Sequence, residues 1–224
     1  VQGFYKTTNS GATWVPSNAG IGVVKNILSI VINPLNPNVL YCGTSFGVTS
    51  QMGPVHIYKS NNAALTWTDM SSGLPALATD LNPVRSMSMS NVDTTRILAG
   101  LFQNTLTGGA FLTTNGGTTW VRQSTGIPNV VAVQIRSILI RPGSTTEFYA
   151  GLDNVTTGGV YKTTNAGVSW TAFNGGSILP NYVVRALVFR TTPDSTLFAG
   201  VAGTAGQGGH EYSFPLVGIN DPST

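Results

Sequence analysis

An all-β fold built from repeated four-stranded antiparallel units is what this sequence predicts, and three observations carry the prediction. A tryptophan-bearing segment occurs four times: Tyr5–Trp14, Tyr58–Trp67, Phe111–Trp120 and Tyr161–Trp170, with the tryptophans 53, 53 and 50 residues apart. Two further short β-branched or aromatic segments hold a constant phase to each copy. No segment sustains a helical period, and 27 glycines supply turns between short runs. A period near 50 residues marks an array of supersecondary units that bury their apolar faces against one another.

The elements follow in order. The innermost segment is Ser29-Ile30-Val31-Ile32 in the first full repeat, Ser86–Met89 in the second, Ser137–Ile140 in the third and Ala186–Phe189 in the fourth. The second segment is Leu40–Gly43, Ile97–Gly100, Phe148–Gly151 and Leu197–Gly200. The third runs into the tryptophan-bearing turn, and the fourth follows the tryptophan. In the third repeat the four strands are expected at Arg136–Ile140, Glu147–Leu152, Gly159–Thr163 and Ser169–Phe173. Four antiparallel strands per unit of this length describe a β-propeller blade. The chain opens at Gly3–Lys6, a third strand, and its last regular segments, Val183–Phe189 and Thr196–Val201, are first and second strands. The expectation is therefore a four-bladed ring over residues 1–209, in which the N-terminal hairpin completes the C-terminal half-blade and hides a sheet edge. Residues 210–224 are expected to be a linker or tail, and the alternative is a fragment of a larger propeller.

The turn Ser/Thr-x-Asn-x-Gly-x-Thr/Ser-Trp explains itself locally. Asn9, Asn62, Asn115 and Asn165 are expected to accept backbone amides in the turn. Gly11, Gly117 and Gly167 tolerate positive φ, a place that Ala64 takes in the second copy. Trp14, Trp67, Trp120 and Trp170 are expected to pack between units. The pattern resembles the Asp-box, or BNR repeat, of sialidases, xyloglucanases, sortilin-type receptors and a photosystem II assembly factor. The resemblance covers all four repeats and implies a propeller; it is nearly silent on function.

Composition narrows the classes. Only 8% of residues are charged, against about 25% in an average soluble domain, which favours a secreted or cell-surface protein; the tail Glu211–Thr224 is similar to segments preceding the sorting domains of bacterial surface proteins, and that resemblance implies a bacterial source. The chain begins inside a repeat, as a processed product would. Its net charge of +3 comes without any cluster of Lys or Arg, so nucleic acid is not an expected partner. There is no apolar run long enough for a membrane helix. Cys42 stands alone and excludes an internal disulfide, and two histidines, His56 and His210, are too isolated for zinc. No cofactor or metal is expected.

Eight carboxylates are available for chemistry. Asp80 and Asp153 fall in connections expected to open on one face and form the candidate acid–base pair for glycoside hydrolysis. The resemblance to sialidases does not extend to their catalytic set: neither Tyr182 nor Tyr212 has an evident Glu partner, and Arg141-Pro142 only echoes the Arg-Ile-Pro signature. Arg85, Arg136 and Arg185 share one repeat position at the start of the innermost strand, where Leu28 stands in the first unit. Three guanidinium groups at one repeat position form a candidate site for a small anion. Phe46 and Phe102, just after second strands, form a candidate aromatic platform. The expectation is a non-catalytic interaction or structural module for a protein or polysaccharide partner, with self-assembly a further option; the alternative is a glycoside-hydrolase-like propeller or a piece of one.

Overall fold

The computed structural model describes residues 3–22, 26–45, 56–75, 83–103, 107–130, 133–154, 156–173, 183–191, 195–202 and 212–215. Every regular element among them is a β-strand. Three successive units each contain four antiparallel strands: β3 (Asn26–Ile32), β4 (Leu40–Ser45), β5 (Ile57–Ser60) and β6 (Thr68–Asp69); β7 (Val84–Met89), β8 (Ile97–Gln103), β9 (Gly109–Thr113) and β10 (Val121–Arg122); β11 (Val133–Ile140), β12 (Phe148–Asp153), β13 (Gly159–Thr163) and β14 (Thr171–Ala172). The second and third units are joined where Val133 and Gln134 of β11 pair with Gln103 and Phe102 of β8. These strands lie where the periodic segments predict them.

The ends depart from expectation. β1 (Tyr5–Lys6) and β2 (Val15–Pro16) pair with each other as a separate hairpin. In the last unit β15 (Val183–Arg190) pairs with β16 (Thr196–Ala202), and the free edge of β16 is taken by β17 (Tyr212–Pro215). Closure by the N-terminal hairpin is not seen among the described residues: β1 pairs with β2, and the edge of β16 expected for it is taken by β17. The hairpin instead leans on the first unit. Phe4 packs on Trp67 at 4.8 Å between ring centroids, Lys6 Nζ donates to the Ala63 carbonyl at 2.8 Å, and Ser17 Oγ donates to the Ala64 carbonyl.

Four buried clusters follow one another along the chain, each between neighbouring units. The first joins Phe4 and Ile21 to Cys42, Tyr58 and Trp67; the second joins Tyr41 and Ile57 to Val84, Phe111 and Trp120. The third joins Leu98 and Leu112 to Ile135, Phe148 and Trp170, and the fourth joins Tyr149 and Val160 to Val184 and Leu197. This is the one-dimensional packing a repeat array requires.

The tryptophans are the staples. In Trp67, Trp120 and Trp170 the indole N–H donates to the carbonyl three residues after the preceding tryptophan: Trp67 to Ser17 at 2.8 Å, Trp120 to Met70 at 2.7 Å, Trp170 to Gln123 at 2.8 Å. The backbone N–H of the same tryptophans donates to Ala19, Ser72 and Thr125. Next in sequence come Gly20, Gly73 and Gly126, at φ 91°, 90° and 90°. A Cβ at any of them would overlap the carbonyl of Trp67, Trp120 or Trp170. Only glycine satisfies both the backbone angle and the close approach.

Candidate functional site

The tryptophan-bearing turn is one hydrogen-bonded motif used four times. The Asn Oδ1 accepts the backbone N–H four residues on, of Thr13, Thr66, Thr119 or Ser169, at 2.9–3.0 Å. Its Nδ2 donates to the hydroxyl of that same residue at 2.8–2.9 Å. The hydroxyl two residues before the Asn donates to Oδ1 and accepts the N–H of Gly11, Ala64, Gly117 or Gly167. An amide donates and accepts here, which a carboxylate cannot do. Asn9, Asn62, Asn115 and Asn165 therefore have all their polar work inside the turn.

The four bulky partners differ. Trp67, Trp120 and Trp170 are buried, whereas Trp14 is 61% exposed. Cys42 is fully buried in β4, and burial pushes its thiol up to about 12, so it is held as a neutral, inert group.

The carboxylates among the described residues are individually occupied. Asp153, at the end of β12, accepts from Arg136 Nε at 2.7 Å. Glu147 accepts from Lys162 Nζ at 2.8 Å, Arg141 Nη1 at 3.0 Å and Tyr149 OH at 2.5 Å. Burial alone would raise its pKa, but the hydrogen bonds from Lys162 and Tyr149 outweigh it and hold the carboxyl below the usual range. Asp93 accepts from Thr95 Oγ1 at 2.6 Å. Asp69 meets His56 Nδ1 at 2.5 Å and accepts from Ser71 Oγ. That Ser-His-Asp contact is not a relay, because Ser71 Oγ lies 3.3 Å from the same Nδ1 that faces Asp69. Ser71 instead serves the backbone, since its Oγ accepts the N–H that opens β5, as Ser124 does at the start of β9 and Asn18 beside β1. No group of three or more His, Cys, Asp or Glu that could hold a metal occurs among the described residues.

Asp80 and Phe46 lie outside the described residues, so the pairing of Asp80 with Asp153 and the aromatic platform have only one described member each. Phe102 is half-buried, and its N–H donates to the Pro83 carbonyl at 3.0 Å. The arginines need a correction of their surroundings: Asp153 sits beside Arg136 and acts on Arg85, whereas the sequence suggested no acid. Arg85 and Arg136 interact electrostatically with each other, and Arg85 also with Asp153. Arg185 is exposed at the matching place on β15. Sequence reasoning missed the Arg136–Asp153 and Glu147–Lys162 pairs. It also missed Gly20, Gly73 and Gly126, although their constant distance after the tryptophan was a readable signal.

No family model matches the chain, and no curated protein matches it. Solved structures do. A GH74 xyloglucanase from Xanthomonas campestris aligns with a TM-score of 0.67 at 16% identity, over 96% of this chain and 33% of that one. A GH74 enzyme of Niastella koreensis aligns at 0.66 and 20% identity, over 90% and 30%. YCF48 bound to D1 peptide aligns at 0.53 and 16% identity, over 85% and 53%. The chain thus spans about a third of the GH74 structures it matches. At these identities the likeness concerns the fold: this is an all-β, propeller-like array.

Proposed function

We propose that the chain is a non-catalytic interaction module of the Asp-box propeller type, exported to the cell surface or beyond, that engages a protein or polysaccharide. The observation behind this reading is that the four carboxylates among the described residues, Asp69, Asp93, Glu147 and Asp153, are each bound to their own donors. Hydrolysis of a glycosidic bond with two carboxylates needs them about 5–10 Å apart across a cleft. The sparse charge of the chain supports export.

The fold likeness to GH74 enzymes favours the second reading, a segment of a glycoside-hydrolase-like propeller. Incubation with xyloglucan and with a sialoside, followed by chromatography of released sugars, separates the two. No release is expected, while equilibrium binding to an immobilised polysaccharide or surface-protein panel is. Turnover lost in Asp80→Asn or Asp153→Asn overturns the binding reading.

A further inference from the structure

The innermost strands present their arginines through one device. In β3, β7, β11 and β15 the pairing slips by one residue, between Ile27 and Ser29, Val84 and Ser86, Ile135 and Ser137, and Val184 and Ala186. The residue left in the slip is Leu28, Arg85, Arg136 and Arg185. A bulge residue is freed from the ladder and its side chain re-aimed. Neighbouring bulges are stitched together: Ser29 Oγ donates to the Val84 carbonyl at 3.0 Å, and Ser86 Oγ to the Ile135 carbonyl at 3.4 Å. Ser137 Oγ accepts the N–H of Leu187 at 2.9 Å. Successive bulges are therefore held side by side along the array.

The two described neighbours are not equivalent. Arg136 has Asp153. Arg85 has a buried Nε with no hydrogen-bond partner among the described residues. Burial first, and Arg136 second, press its guanidinium below its ordinary value, with Asp153 offsetting part of this. A buried N–H of a cation left unmade is costly, and a charged acceptor recovers that cost. Among the described residues, three guanidinium groups stand against one carboxylate, a surplus of positive charge over a row whose fourth member, Leu28, is apolar and partly exposed.

We propose that the bulge arginines form a binding site for a carboxylate ligand, with Arg85 as its principal donor and Arg136 and Arg185 as flanking cations. A planar carboxylate matches the guanidinium fork, and one or two carboxylates match the charge. The carboxylate can come from a uronate sugar chain or from a small free dicarboxylate. The site goes beyond the reading above and does not depend on it, because a catalytic or a non-catalytic propeller could carry it.

The test is calorimetry and thermal melting of the whole chain with an oligogalacturonate in one arm and succinate in the other, each against chloride at matched ionic strength. Binding in either arm, weakened about ten- to hundredfold in Arg85→Leu, is the expected result. Without ligand, Arg85→Leu should melt no lower than the parent, since it removes a cation whose buried Nε has no hydrogen-bond partner among the described residues. Arg136→Leu should melt lower, since it strands Asp153. Leu28→Arg, which adds a fourth cation, should tighten binding. No binding in either arm, equal affinity in Arg85→Leu, or an equal shift with chloride overturns the proposal. None of these results bears on whether sugars are hydrolysed, so the failure of one reading is distinguishable from failure of the other.

Discussion

Trp14 and Trp120 sit in turns with the same hydrogen bonds, yet Trp14 is 61% exposed and Trp120 is 2% exposed. The difference is the neighbour. Trp120 rests on the outer hairpin of the unit before it and donates to the Met70 carbonyl. Among the described residues, no outer hairpin precedes Trp14. The turn is thus self-sufficient, and the tryptophan is not: its burial belongs to the contact between units. A second pair repeats the lesson at the other end. Tyr41 donates forward to the Gly116 carbonyl of the following turn at 2.9 Å. Tyr149, the same repeat position one unit before the last, turns back to Glu147 in its own unit. Burial first, then Glu147, raises the Tyr149 phenol well above its ordinary value.

The strongest way to break the first comparison is to truncate both tryptophans. Trp120→Ala should cost about 3–5 kcal/mol, as buried aromatic truncations do. Trp14→Ala should stay within about 0.5 kcal/mol, as exposed changes do. Urea melts of the two variants decide it; equal costs would mean that Trp14 is covered in solution.

The second comparison is sharpened by pH. Glu147→Gln should lose about 1–3 kcal/mol near neutrality, because the carboxylate accepts charge-assisted bonds from Lys162 and Arg141. The folded-state pKa of Glu147 is depressed. Its stabilisation is therefore full above the ordinary carboxylate range and fades as pH falls through the folded value. Parent and variant melts should converge in acid. A gap that persists there would assign the loss to packing instead.

The smallest effect concerns two equivalent turn positions. Gly117 sits at φ 88° and Ala64 at φ 66°. Ala64→Gly should relieve left-handed backbone strain of about 1 kcal/mol, less the apolar contact of a methyl that is 2% exposed. The expected net is a slight rise in melting temperature. A clear fall would show that the methyl packs for more than the strain costs.

Much of the fold was legible because its information is local and repeated. The order of strands within a unit follows from the spacing of apolar segments, and the Asn-centred turn follows from side chains within seven residues of one another. The bulge arginines were legible as a repeat position, although the bulge itself was not, since a slip in pairing leaves no mark in a single strand. Asp153 reads in sequence as a loop carboxylate, and its contact with Arg136 joins residues 17 apart across a strand pair.

What the sequence by itself determined is the unit: four antiparallel strands, a glycine- and Asn-built turn, and arginine at one phase of the innermost strand. Only the tertiary structure decided what happens between units and at the ends. Which segment takes the free edge of β16, whether Trp14 is buried, and which arginine has an acid beside it all depend on surfaces brought together from distant parts of the chain. Hydrogen-bonded turns and alternating strands are set by neighbours in sequence, whereas an edge or an indole face is satisfied by whichever surface reaches it, and β17 rather than β1 reaches β16.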